Sequence, residues 1–153
     1  MRAKVSKENL EGMRKAWLRA GTVLVALLLG IQLVPRQQTN PAVTAELSAS
    51  AELKALLKRA CYDCHSNETV WPWYARIAPI SWWIGSDVKE GRRDLNFSTW
   101  NLYSPSRKAR KLKETREQIE KGKMPLWYYV LIHPDAKLSA GDQELILKWA
   151  KQP

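Results

Sequence analysis

Cysteine, histidine, methionine and phenylalanine are all scarce in this chain of 153 residues, which has two, two, three and one of them. The two cysteines, Cys61 and Cys64, can form one disulfide at most. A four-coordinate zinc site built on them would need two further ligands. Outside the motif that contains them the only other histidine is His133, and there is no second cysteine pair, which argues against zinc. No stretch alternates apolar and polar residues in the manner of a strand, and there is no internal repeat or low-complexity tract, so the pattern excludes a sheet-based class and leaves an all-α one. Acidic residues are outnumbered, 15 against 25, giving a net charge of +10. The first 19 residues hold six basic and two acidic side chains, a net +4 that leaves +6 for the rest. That balance is basic without being a nucleic-acid signature.

What the chain does have is tryptophan, eight in all and seven of them after Cys64, together with the sequence Cys61-Tyr62-Asp63-Cys64-His65. This C-x-x-C-H spacing suits two thioethers that hold the vinyl groups of a haem while the adjacent imidazole binds its iron. A thioredoxin-type dithiol would need a preceding strand and a βαβ context. Leu53, Leu56, Leu57 and Ala60 instead approach Cys61 at helical spacing, and Cys64 would continue the same face.

The basic residues 1–19 precede an uncharged apolar run, residues 20–34. Fifteen residues fit the core of a signal peptide, and extending the run back through Ala16 with Arg19 snorkelling brings it close to the ~20 residues that span a bilayer. Small residues suited to cleavage, Val43-Thr44-Ala45, lie well beyond the run. An uncleaved anchor is therefore the favoured reading, with residues 1–35 as basic cytoplasmic end and membrane segment, 36–46 as a polar linker and 47–153 as the exported domain. Covalent haem attachment by C-x-x-C-H takes place outside the bacterial cytoplasm, so anchor and motif agree on an inner-membrane protein facing the periplasm.

Within the domain, helix signals begin between Thr44 and Ser50. Pro79 suits the first position of a helix ending near Gly91, and residues 92–103, without sustained periodicity, read as an ordered loop. Ser104-Pro105 opens a polar helix that Gly122 closes, and Ser139 with Asp142 is a capping-box start for a last helix that buries Leu145, Ile146 and Trp149. The basic stretch 107–123, with Leu112, Thr115 and Ile119 as its less polar stripe, reads first as a solvated helix face and second as a docking surface for an acidic partner or anionic lipid.

If His65 supplies one axial bond, Met124 is the candidate for the other. It precedes Pro125 between two helices, late enough for the chain to return over the opposite haem face. His133 or an open position are the alternatives. Arg76, Arg92, Arg93, Tyr74 and Asn96 are candidates to meet haem propionates, and Trp71, Trp73, Trp82, Trp83, Trp100 and Trp127 are candidates to line the haem disc.

Taken together, Cys61 to Thr69, Trp71-Pro72-Trp73-Tyr74 with Pro79, Asp87-Val88-Lys89-Glu90-Gly91-Arg92, Leu95-Asn96-Phe97-Ser98-Thr99-Trp100, Gly122-Lys123-Met124-Pro125, His133-Pro134 and Leu138-Ser139 to Trp149 resemble the bacterial haem-binding domain family built on a single C-x-x-C-H. Ser86 stands where that pattern commonly has histidine, and Leu126 where a second proline is frequent. The resemblance implies one covalent haem c on Cys61 and Cys64, iron ligation by His65 and Met124, and a small cytochrome c-like helical fold. A protein of this kind would need the cytochrome c maturation machinery and a redox partner protein. The expected activity is single-electron transfer rather than enzymatic turnover. The alternative is a haem enzyme or sensor, peroxidase-like or binding small ligands, whose sixth position opens.

Overall fold

The computed structural model describes residues 7–35 and 38–151. Met1, Arg2 and Lys4 of the basic end and Arg36 and Gln37 of the linker lie outside the described residues. The described residues form seven α-helices joined by loops and 3-10 turns, with no strand among them. The expected all-α class with an N-terminal apolar helix is therefore the one observed.

Helix α1, Lys7–Gly30, runs into a 3-10 turn at Ile31–Leu33. Residues Asn9–Leu33 form one continuous helical rod with exposed side chains, charged at Glu11, Arg14, Lys15 and Arg19, apolar from Ala20 on, and of mean hydropathy 1.7 over its most apolar 18 residues. Those 18 residues at 1.5 Å each reach roughly 27 Å, against a hydrocarbon core of about 30 Å. This length is compatible with a membrane anchor or a signal sequence.

Helix α2, Ala51–Ala60, starts where the Ser50 hydroxyl accepts the Leu53 N–H at 3.2 Å, and it carries Glu52 in its first turn and Lys58 and Arg59 in its last. Leu53, Leu56, Leu57 and Ala60 are all buried, as their 3.6-residue spacing requires. Cys61 then leaves helical geometry at φ −130°, ψ −33°. Cys64 consequently sits on a separate single turn, α3, Tyr62–His65, whose Cys64 and His65 N–H groups both point at the Cys61 carbonyl.

Helix α4, Ile80–Asp94, begins one residue after Pro79 and extends three residues past Gly91. The stretch after it is not a loop throughout. Phe97–Leu102 forms a 3-10 helix in which Phe97, Ser98 and Trp100 are buried. Phe97 and Trp100 in it and Tyr103 just after it recur every three positions, the 3-10 repeat, so a search for 3.6- or 2-residue periods passes over it. Phe97, the chain's single phenylalanine, is 1 % exposed and lies at the centre of the core. It stacks on Tyr62 at 5.2 Å and meets Trp149 at 6.2 Å, and Trp149 in turn packs on Trp100 at 5.6 Å.

Helices α5, Pro105–Glu120, α6, Trp127–Ile132, and α7, Ala140–Trp149, complete the domain. Ser104 caps α5, Gly122 terminates it with φ +62°, and both halves of the Ser139/Asp142 capping box are formed, as the sequence predicts. On α5 Leu112 and Ile119 face the core. Lys111 pairs with Glu114, Lys121 with Glu117, Arg107 lies over the Tyr103 ring, and Arg116 donates to the Ala150 carbonyl. Much of the basic stretch is thus engaged within or beside its own helix.

A buried polar network joins the residues after His65 to the Phe97 segment. The Asn67 N–H donates to Ser98 Oγ at 2.9 Å, Asn96 Nδ2 donates to Asn67 Oδ1 at 2.9 Å, the Ser98 N–H donates to Asn96 Oδ1 at 2.9 Å, and the Tyr103 hydroxyl accepts the Asn96 N–H at 3.0 Å. Because Ser98 is fully buried, Ser98→Ala leaves the Asn67 N–H with no acceptor. The expected loss is about 1–3 kcal/mol of unfolding free energy. Urea unfolding of the variant measures it, and an unchanged midpoint would show the network to be dispensable.

Candidate functional site

Two adjoining hollows meet at the C-x-x-C-H turn. The larger, about 470 Å³, is walled by Leu57, Phe97, Ile119 and Ile146 and reaches Cys61, His65, Met124 and Pro125. The smaller, about 230 Å³, shares Cys61, His65, Met124 and Pro125 and adds Cys64, Asp87, Gly91, Tyr128 and Tyr129. All four residues predicted to hold a haem therefore line one continuous, largely apolar cleft of the size small-ligand and cofactor sites have.

The His65 ring is fixed from behind. Its Nδ1 lies 2.9 Å from the Gly91 carbonyl and 3.1 Å from the Leu95 carbonyl, two acceptors at the C-terminal end of α4. With the Nδ1 proton committed to those carbonyls, Nε2 keeps its lone pair, the arrangement that prepares a histidine for a metal. Burial holds the imidazole below its usual protonation range, although the two carbonyls and Asp94 pull the other way. The ring is therefore neutral at pH 7.

The same helix touches the motif at the backbone. A Cβ built on Gly91 would lie 2.5 Å from the Cys64 carbonyl oxygen and 3.1 Å from Cys64 Cβ, so α4 reaches the α3 turn only because residue 91 has no side chain. The sequence marks Gly91 only as an approximate helix end.

Both thiols are pushed up to about 12, Cys61 by burial and then the neighbouring Cys64, Cys64 by burial and then Asp87 and Asp63. Reactive dithiols depend on depressed thiol pKa values, so this environment does not suit a redox pair.

Helix α6 closes over the smaller hollow by two hydroxyls. Tyr129 donates to Asp63 Oδ2 at 2.7 Å and Tyr128 to Asp87 Oδ2 at 3.0 Å. Burial and these carboxylates push the Tyr128 hydroxyl up to about 12 and the Tyr129 hydroxyl well above the ordinary phenol range. His133 lies away from the cleft. Its ring stacks on Tyr129 at 4.2 Å, and its Nε2 accepts from the Tyr74 hydroxyl at 3.2 Å.

Other candidates fall elsewhere. Arg92 is a structural clamp: its guanidinium donates to Ser66 O at 2.7 Å, Thr39 O at 2.7 Å, Asn40 Oδ1 at 2.9 Å and Thr69 Oγ1 at 2.8 Å, fastening the linker to the residues after His65. Asn96 belongs to the buried network, Arg93 faces solvent beside Asp94, and Arg76 is exposed. The cation that lines the cleft is Lys111, paired with Glu114 at 2.5 Å. Of the six tryptophans expected around a haem, none lines either hollow. Trp100 is core, while Trp73, Trp82, Trp83 and Trp127 are exposed. Apolar contact comes instead from Leu57, Leu95, Phe97, Ile119 and Ile146. Thr115 and Gln118 of α5 also line the cleft, an i, i+3 pair that the less polar stripe of that helix partly reveals.

The model of one family, the haem-binding domain, matches residues 26–152. The chain belongs to that family. Comparison with curated proteins and with solved structures finds no match. Haem binding is accordingly the function of this domain. The cleft fits the group, since it offers apolar walls, an imidazole with one nitrogen held and the other available, and a thioether.

Gly91→Ala tests the close approach of α4 to the motif. The added methyl must separate α3 from α4, at an expected cost of about 1–3 kcal/mol, and must loosen the two carbonyls behind His65. Thermal unfolding and the haem content of the purified variant should both fall, whereas Gly141→Ala, where a Cβ meets nothing closer than 3.9 Å, should leave haem content unchanged.

Proposed function

We propose that this haem-binding domain is a membrane-anchored, periplasm-facing monohaem cytochrome c that relays single electrons to and from a redox partner protein. The observation that carries the proposal is the assembly of Cys61, Cys64, His65 and Met124 on one apolar cleft, with His65 Nδ1 held by the Gly91 and Leu95 carbonyls. Cys61 and Cys64 would carry the covalent attachment, and His65 and Met124 would hold the iron. Bound haem supplies a one-electron iron couple. The protein's part is to hold the His65 ring rigid, to present the Met124 thioether from the α5–α6 connection, and to exclude water with Leu57, Phe97, Ile119 and Ile146. Carrying electrons, as opposed to turning over a substrate, needs no general base or nucleophile. The raised thiols of Cys61 and Cys64 do not suit a free dithiol role.

Localisation rests on two supports. Helix α1 is long enough to cross a bilayer, with its basic end assigned to the cytoplasm by the positive-inside rule. C-x-x-C-H loading by the cytochrome c maturation machinery takes place on the periplasmic side.

Expression of the full chain with that machinery, followed by denaturation and an alkaline pyridine haemochrome spectrum, should give a c-type α-band that Cys61→Ser/Cys64→Ser abolishes. A haem-free band would discard covalent attachment. Met124→Ala should remove the near-infrared thioether-to-iron band of the ferric protein, and His133→Ala should leave it in place. Rapid carbon monoxide binding by the reduced wild-type protein would instead assign the sixth position to ligands, and with it the enzyme or sensor reading.

A further inference from the structure

The end of the membrane helix is tied to the haem domain. Gln32, one residue short of the end of the apolar rod, donates through Nε2 to the Ala78 carbonyl at 3.1 Å and accepts the Ala78 N–H on Oε1 at 3.0 Å. Just beyond, Gln38 donates to the Ala75 carbonyl. Ala75 and Ala78 are themselves buried. In an anchored chain, Ala78 is therefore pinned at the level where α1 leaves the bilayer, and the residues around it stand at the same depth.

Those residues are large, apolar and exposed. Trp73 is 74 % exposed, and Ile77 and Ile80 flank Ala78 with more than two-fifths of their surface in the open. One turn further along α4 is Trp83, which packs against Tyr128 at 5.0 Å and so leads to Trp127, 73 % exposed, on α6. On its other side Trp73 contacts Tyr74, whose ring meets His133 at the end of α6, near Leu131, 71 % exposed. Charge is nearly absent from this ground. Residues 70–86 contain one charged residue, the exposed Arg76, and residues 126–134 contain none. A monomeric water-soluble surface does not ordinarily gather exposed aromatic and branched side chains in this way. Tryptophan and tyrosine at headgroup depth are what a lipid interface selects, and a lone cation suits anionic headgroups.

We propose that this aromatic surface beds into the outer headgroup region of the same bilayer that α1 crosses, so that the haem domain lies on the membrane in a fixed orientation instead of swinging on its linker. The inference rests on the anchor reading of α1. Along α4, seven residues, about 10 Å of helix, separate Ile80 on this surface from Asp87 in the cleft, and Tyr128 of α6 lines the cleft beside Trp127, so the cleft lies close to the surface. Helix α5, which carries the exposed cations, packs against α7, and on this proposal it remains in water.

The test uses the haem-loaded full chain in vesicles of phosphatidylcholine and phosphatidylglycerol that contain a phospholipid with a photoactivatable diazirine on its acyl chain near the headgroup. Adducts are mapped by mass spectrometry. The expected result is labelling of α1 together with residues 73–83 and 127–132, and none on α5. Trp73→Glu/Trp127→Glu should lose the labelling of the domain while keeping that of α1 and an unaltered haem spectrum. Labelling of α1 alone would show that the domain stands off the bilayer and would overturn the proposal while leaving the anchor intact. If the same segments were then protected in native membranes, the surface would belong to a protein partner. Labelling spread equally over α5 would also overturn it, because no face would be preferred. Absence of label from α1 itself would remove the anchor reading and this proposal together.

Discussion

The site depends on one backbone approach, that of Gly91 to the C-x-x-C-H turn. A residue with a side chain at that position would collide with the Cys64 carbonyl, and only at this separation can the Gly91 and Leu95 carbonyls both reach His65 Nδ1. The Gly91 carbonyl also accepts the Leu95 N–H at 2.8 Å, so it serves the helix end and the histidine at once. Carbonyls at a helix C-terminus need donors, and the imidazole is one. The geometry that terminates α4 thus also fixes the tautomer of the His65 ring, and the two requirements cannot be varied separately.

Around that contact, polar bonds set positions and apolar burial supplies the driving force. Arg92, one residue on from Gly91, reaches Ser66 and Thr69 on one side and Thr39 and Asn40 on the other. Asn67, Asn96 and Ser98 join the same turn to the Phe97 segment, and that segment takes up the linker through the Thr44 and Ala45 N–H groups, which donate to the Ser98 carbonyl at 3.3 and 3.1 Å. Phe97 then presents one part of its ring to Tyr62 and Trp149 and another to the cleft. Motifs that stand far apart in sequence, around Cys61, Arg92 and Leu95, converge because each holds a polar group that would be orphaned on burial without the others.

What the sequence made legible follows from the kind of signal each element leaves. Helix α2, the caps of α5 and α7 and the apolar rod are written in residues adjacent in the chain or at 3.6-residue spacing, and they are found where expected; Cys64, expected to continue the face of α2, instead follows a break at Cys61. The Phe97–Leu102 helix has a period of three, which such reading does not search for. Gly91 was visible as a glycine, but its reason lies in a helix crossing and not in its own neighbourhood. Arg92 illustrates a further limit: an arginine near a candidate haem site reads as a counter-charge, and only the fold shows four acceptors already waiting for it. The tryptophans misled for a related reason. Many tryptophans in a small domain suggest core, and Trp100 and Trp149 meet that expectation, but composition does not separate burial against protein from burial against something outside the chain.

That separation matters for how the domain would work. A cofactor carrier exchanging electrons with membrane-bound partners gains from a fixed height and tilt, because the orientation cost of each encounter is then met in advance. The Gln32–Ala78 bonds provide the mechanical part of such a restraint, since they join the end of α1 to the loop that leads into α4, and α4 is the helix that positions His65. Movement of the domain relative to α1 would first have to break them. The rigid path therefore runs from the apolar rod through Ala78 and α4 to the imidazole, without passing through the polar linker that the sequence alone places between membrane and domain.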